Sequence, residues 1–227
     1  MDKVKANLLK VQQNIEKAAY KSGRKPADII LVAVTKTVES DTIAFTHEQG
    51  ISNFGENRVQ QLKRKMESLP EANWHLIGRL QTNKVKDVVG KVSLIHSLDR
   101  WNLAEELNRR GEFLGVKVPT LLQVNISGEE QKAGITAGEA EVFLDSLGQL
   151  KNLRIYGFMT MAPWLDNVEE ARPIFKELFQ LKEKLKHQKH SNVELKYLSM
   201  GMSQDYEIAI EEGANIVRVG SAIFSGE

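Results

Sequence analysis

Asp28-Ile29-Ile30-Leu31-Val32-Ala33-Val34-Thr35-Lys36-Thr37 sets seven strand-forming residues, 29–35, directly before one lysine. An apolar run without polar alternation predicts a strand buried on both faces, as in a parallel sheet enclosed by helices. Such a strand delivers Lys36 to the point where the sheet stops and a loop begins. A lysine partly removed from water loses its proton more readily, and the neutral amine attacks carbonyl groups. Lys36 is therefore a candidate Schiff-base former. The competing reading is a strand-end lysine that snorkels to water and has no chemical role.

The alternation that begins there repeats along the chain. Val4, Leu8, Val11, Ile15 and Ala18 form one apolar helical stripe, closed by Gly23 and Pro26, which places a helix before the first strand. Further strands are predicted at 51–54, 74–77, 92–95, 118–126, 155–159, 195–198 and 216–219. Between them fall helices at 41–49, capped by Ser40, from Asn57 through Val59, Leu62 and Met66, and at 81–89. Others run from a cap at Asp99 through Leu103 and Leu107, and at 136–147, 168–187 and 204–212. Thr136-Ala137-Gly138-Glu139 fits a capping box and is expected to open its helix. Eight strands, each followed by helical sequence, predict an α/β fold: a closed (β/α)8 TIM barrel with an extra N-terminal helix, filling 1–227 as one domain. An open doubly wound sheet is the alternative.

Thirty-one Lys plus Arg against thirty Asp plus Glu leave a net charge of +1, so no long-range field draws the chain to nucleic acid or anionic lipid. The expected ligand is small and locally recognised. The lack of cysteine excludes disulfides, thiolate metal sites and cysteine nucleophiles, and five scattered histidines show no ligand spacing, so no metal is expected. Charge interrupts the first apolar residues, and nowhere do about eighteen apolar residues run together, which predicts a cytoplasmic protein without signal peptide or membrane span. The helix at 168–187 confines its apolar residues to one stripe, which predicts a monomer.

In a barrel of this kind the chemistry gathers at the C-terminal strand ends. These carry Lys36, Asn57, His75, Arg79, Asn125, Met159 and Thr160. After the seventh strand comes Leu198-Ser199-Met200-Gly201-Met202-Ser203, and the eighth contains Arg218 and ends in Gly220-Ser221. Glycine lets backbone approach an anion, serine adds a hydroxyl, and helix starts offer unpaired N–H groups, so both loops are phosphate-binding material. Helix capping is the plainer role for Ser203 and Ser221 taken singly. Strand eight adjoins strand one in a closed barrel, which brings the anion loops to Lys36; a phosphorylated aldehyde would satisfy both. His75 reads as a satisfied interior histidine, Asn57 as a helix cap and Arg79 as a loop charge. An inward Arg218 needs an acceptor; an outward one does not. No G-x-G-x-x-G, Walker A or H-E-x-x-H motif occurs.

Five blocks carry a resemblance across nearly the whole chain. They are Val-Ala-Val-Thr-Lys-Thr (32–37), Phe-Gly-Glu-Asn (54–57), Trp-His-Leu-Ile-Gly-Arg-Leu-Gln-Thr-Asn-Lys (74–84), Leu-Ser-Met-Gly-Met-Ser (198–203) and Val-Arg-Val-Gly-Ser-Ala-Ile-Phe (217–224). In these the chain resembles the pyridoxal-phosphate homeostasis proteins, relatives of the alanine racemase barrel. The resemblance implies pyridoxal 5′-phosphate (PLP) held as a Schiff base on Lys36. Ser199, Gly201, Met202, Ser203, Gly220 and Ser221 would line the phosphate site, Asn57 would lie beside the ring, and Arg218 would face the pyridine nitrogen. It further implies a buffer of PLP and other B6 vitamers that passes cofactor to apo-enzymes without turnover. Two rival functions stay open. One is a low-activity PLP-dependent racemase, against which stands the absence of the second-domain tyrosine that alanine racemases use; the four tyrosines here read as packing residues. The other is a Schiff-base aldolase.

Overall fold

The computed structural model describes residues 1–129, 131–187 and 190–225. Its strands are β1 (Ile30–Val34), β2 (Asn53–Glu56), β3 (Asn73–Leu76), β4 (Leu94–Leu98), β5 (Val118–Asn125), β6 (Ile135–Thr136), β7 (Leu153–Met159), β8 (Val193–Ser199) and β9 (Ile216–Val219). All pairings are parallel, and the order β4-β3-β2-β1-β9-β8-β7-β5 is closed by pairing of β4 with β5. That last pairing rules out the open sheet. The fold is a TIM barrel of eight strands, with the two-residue β6 attached to β5 as a spur.

Eight α-helices are described: α1 (Asp2–Lys21), α2 (Ser40–Glu48), α3 (Val59–Ser68), α4 (Trp101–Leu114), α5 (Ala140–Leu147), α6 (Arg172–Leu185), α7 (Tyr206–Glu211) and α8 (Ser221–Phe224). The expected extra helix is α1, which buries Leu8, Val11, Ile15, Ala18 and Ala19. It leans on the last turn of the barrel, where Asn7 Nδ2 donates to Ile223 O and Asn14 Nδ2 to the Tyr206 hydroxyl.

Alternation along the strands separates two apolar layers. Leu31, Ala33, Phe54, Leu76, Ile95, Leu122, Val217 and Val219 point outward to the helices. Val32, Leu94, Leu121, Met159 and Ile216 point inward, with Ile30, Tyr156 and Tyr197 against them. The interior apolar cluster is small because other inward positions are polar, among them His75, His96, Ser199 and Arg218.

Several helix starts differ from the sequence expectation: those of α2, α3 and α7 move by a residue or two, and three further differences have a clear local reason. Thr136 and Glu139 do exchange the reciprocal bonds of a capping box, Thr136 N to Glu139 Oε2 and Glu139 N to Thr136 Oγ1, yet Thr136 lies in β6 and α5 opens only at Ala140. The box closes a turn ahead of the helix. The helix expected at 168–187 splits into a 3-10 turn, Val168–Ala171, and then α6, because Pro173 is tolerated only in a first helical turn. Asp99 does not cap α4: its carboxylate pairs with Arg79 and Arg100. The segment expected as a helix at 81–89 forms a 3-10 helix, Thr82–Asp87.

Candidate functional site

The C-terminal ends of the strands enclose a cavity of about 610 Å³. Lys36, Asn57 and Arg218 line it from β1, β2 and β9, and Met202, Ser203, Gly220 and Ser221 from the two glycine-serine loops. Topology makes these neighbours: Val32 is paired with Arg218 across β1 and β9, four residues before Lys36. Two expected members are elsewhere. Ser199 is fully buried and Gly201 turns at φ +91, where an added Cβ would meet Ala209 and Tyr206; neither is among the residues lining the cavity.

Lys36 is exposed and forms no hydrogen bond or ion pair among the described residues. The desolvation expected for it is not present in the open cavity. What is built tightly is the scaffold behind it. Thr35 Oγ1 donates to Glu56 Oε1 at 3.0 Å, Asn57 N donates to Glu56 Oε2 at 3.1 Å, and Lys65 of α3 donates to both Glu56 and, at 2.5 Å, Thr35 O. Glu56 is wholly buried and Lys65 nearly so. This cluster ties the ends of β1 and β2 together immediately before Lys36 and Asn57. Gly78 supports the same corner, since a Cβ there would lie 2.2 Å from Asn57 O.

In the anion loops, Ser203 Oγ accepts from Gly220 N at 3.1 Å and Ala222 N at 3.2 Å. The serine thus takes up amides that the sequence suggested for an anion, and shows that they converge on one oxygen-sized point. Asp205, not anticipated, fixes this loop by accepting from Met202 N at 2.6 Å. Burial raises its pKa, opposed by its bond to Met202 and by the charge of Arg218.

Arg218 points inward. Its Nη1 donates to Ser199 Oγ at 2.6 Å and its Nη2 to Thr160 O at 2.9 Å, both uncharged acceptors. Burial lowers its pKa to about 10, still far above neutrality, so the cation stands at the cavity wall without a hydrogen-bonded carboxylate. Asn125 lies outside this group: it accepts from Ser127 and Gly128 and donates to Glu129 O, closing its own loop. Arg79, the strand-end loop charge, also lines the cavity, as do Gln123, Met161 and Trp164, which no pattern in the sequence marks.

His75 is the satisfied interior histidine expected, bonded to His96 and Asn53. Burial disfavours its imidazolium and lowers its pKa from 6.5 to about 4. The unfolded chain therefore takes up this proton first as pH falls. The contribution to stability is whole above about pH 6.5 and is lost progressively as pH drops through about 4, amounting to about 3 kcal/mol. Urea midpoints at pH 7.5 and 4.5 are expected to separate less in His75→Gln than in wild type; equal separations would contradict the assignment.

The family model described as alanine racemase, N-terminal domain, matches residues 6–227. A pyridoxal phosphate homeostasis protein of Aquifex aeolicus is 43% identical over 219 residues, 96% of this chain and 95% of that one. The chain belongs to the pyridoxal phosphate homeostasis proteins. Solved structures similar to this member of the family include a protein of Bifidobacterium adolescentis described as unknown, with TM-score 0.93, 32% identity and coverage of 98% of this chain and 95% of that one. PipY of Synechococcus elongatus, solved with PLP bound, superposes with TM-score 0.80 at 34% identity over 93% of this chain and 99% of its own. For a pyridoxal phosphate homeostasis protein, the shared barrel and the lysine, arginine and serine-glycine loops at one end of it form a coherent candidate site.

Proposed function

We propose that this chain binds PLP as a Schiff base on Lys36 and serves as a buffer and carrier of the cofactor, delivering it to apo-enzymes rather than turning a substrate over. The observation that carries the reading is the convergence, in one cavity, of a lysine unpaired among the described residues, amides aimed at one oxygen position, and a buried arginine hydrogen-bonded only to neutral acceptors. Each suits a different part of PLP. The Lys36 amine condenses with the aldehyde carbon with loss of water. The amides of Gly220 and Ala222 and the hydroxyls of Ser203 and Ser221 suit the phosphate. Arg218, always a donor, suits the unprotonated pyridine nitrogen, and Asn57 the ring edge.

PLP supplies an electron sink when bound, and an arginine at its nitrogen weakens that sink because it donates without giving up its proton. The exposure of Lys36 points the same way, since an open site excludes water poorly and releases its ligand easily. Both features favour storage over carbanion chemistry. A PipY relative solved with PLP adds support from the family.

Purified wild type incubated with PLP is expected to be yellow, to bleach on borohydride reduction, and to retain the reduced cofactor's mass on the Lys36 peptide. Lys36→Ala is expected to stay colourless and to retain no mass. A colourless wild type in excess PLP would overturn the reading, and rapid exchange of amino-acid α-protons by the loaded protein would overturn its non-catalytic part.

A further inference from the structure

Between the cavity floor and the opposite, N-terminal end of the barrel runs an unbroken file of polar side chains. Arg218 Nη1 lies 2.6 Å from Ser199 Oγ, Ser199 Oγ 2.9 Å from His96 Nδ1, His96 Nε2 2.9 Å from His75 Nδ1, and His75 Nε2 3.2 Å from Asn53 Oδ1. Five strands contribute, β9, β8, β4, β3 and β2, and the four residues from Arg218 to His75 are all buried. Nothing in the binding chemistry proposed above uses the histidines.

The direction of every bond follows from donor and acceptor chemistry. Arginine only donates, so Ser199 Oγ accepts from it. The one other partner of that hydroxyl among the described residues is His96 Nδ1; were Nδ1 protonated, the serine proton would be buried without an acceptor. Ser199 therefore donates to a bare His96 Nδ1. A neutral His96 then carries its proton on Nε2 and donates to His75 Nδ1, which leaves His75 with Nε2–H facing Asn53 Oδ1. The far end gives the same answer independently. Asn53 Nδ2 donates to Ser52 Oγ, which turns Oδ1 toward His75, and a carbonyl oxygen only accepts.

We infer that His96 and His75 are positioning residues for Arg218. Held in one tautomer, they keep the Ser199 hydroxyl turned away so that its lone pair meets the guanidinium, and so fix the orientation of the cation at the cavity without spending a carboxylate on it. This rests on the PLP reading only for its functional consequence. No carboxylate is hydrogen-bonded to Arg218, so its charge is opposed only through space by Asp205 and not by a direct ion pair, and it holds one orientation because the file behind it has one consistent arrangement. A carboxylate in the place of Ser199 would hold the arginine as firmly but cancel its charge.

Ring ¹⁵N shifts of the cofactor-free protein test the tautomers directly. At neutral pH both His75 and His96 are expected to show a bare Nδ1 and a protonated Nε2; a protonated Nδ1 on His96 would overturn the inference whether or not PLP binds. With PLP added, His96→Leu is expected to weaken binding about tenfold, the scale of one hydrogen bond to a charged group. It should also shift the visible band, while His96→Gln, which keeps an acceptor and a donor, recovers both. A folded His96→Leu with wild-type affinity and spectrum would also overturn it. If His96→Leu does not fold, the ring shifts of the wild type decide alone. Failure of the wild type to take up PLP would instead count against the proposed function and leave the tautomer result standing.

Discussion

Lys65→Met is expected to cost about 3–5 kcal/mol, because it leaves the Glu56 carboxylate buried and unpaired rather than merely removing an attraction. Glu56 has no exposed surface, and its other partners, the Thr35 hydroxyl and the Asn57 amide, do not carry a compensating charge. The double variant Lys65→Met with Glu56→Leu is expected to recover part of the loss, since it removes the stranded charge but orphans the Asn57 amide. Urea unfolding of the three proteins measures this directly, and a single variant as stable as wild type would show the pair to be expendable. The consequence reaches function through geometry. Lys36 and Asn57 each follow a residue that this cluster holds, so PLP binding in Lys65→Met should fall even below the temperature at which the variant unfolds.

Gly157→Ala is expected to be at least as damaging, by a different route. Gly157 lies in β7 at φ +141, a conformation that residues with a Cβ rarely adopt, and its added Cβ would stand 1.9 Å from Tyr197 O in the next strand. Neither the backbone angle nor the neighbouring carbonyl has slack, because β7 and β8 already shift register between Ile155 and Gly157. A loss of at least about 3 kcal/mol, or failure to fold, is the expected result. Gly138→Ala is the control: Gly138 is exposed, has open space around its Cα and no positive φ, so its thermal midpoint should stay close to wild type. Equal behaviour of the two variants would refute the steric account.

The strands were the legible part of this chain because each is short and locally bounded and most carry an apolar run, although β2 sits two residues later than its predicted span, at Asn53–Glu56. The predicted β9 span coincides with the observed Ile216–Val219, and β1 is shortened only at its two ends. The lysine, the arginine and the glycine-serine loops were legible for a related reason: a barrel places strand ends together whatever their separation in sequence. What sequence did not carry was direction and partnership. Arg218 faces inward because β9 pairs with β1 in one register, and its acceptor Ser199 lies nineteen residues away, while His96 reaches Ser199 across 103. Ser199 itself was placed one layer too high: as a strand-end residue it belonged with the phosphate loop, but β8 continues through it and turns its hydroxyl into the barrel. Glu56 offered one overlooked signal, a carboxylate closing the strand Asn53–Glu56 with a lysine nine residues on.

The convergence of the Gly220 and Ala222 amides on Ser203 Oγ has a kinetic meaning as well. A loop whose donors already satisfy an internal oxygen does not need to be ordered by its ligand. In the proposed site an arriving phosphate would exchange one oxygen acceptor for another in a loop already ordered, so little chain entropy would be lost on capture and little regained on departure. For the carrier role proposed above, that preorganisation would suit a protein that takes up a reactive aldehyde and gives it away again.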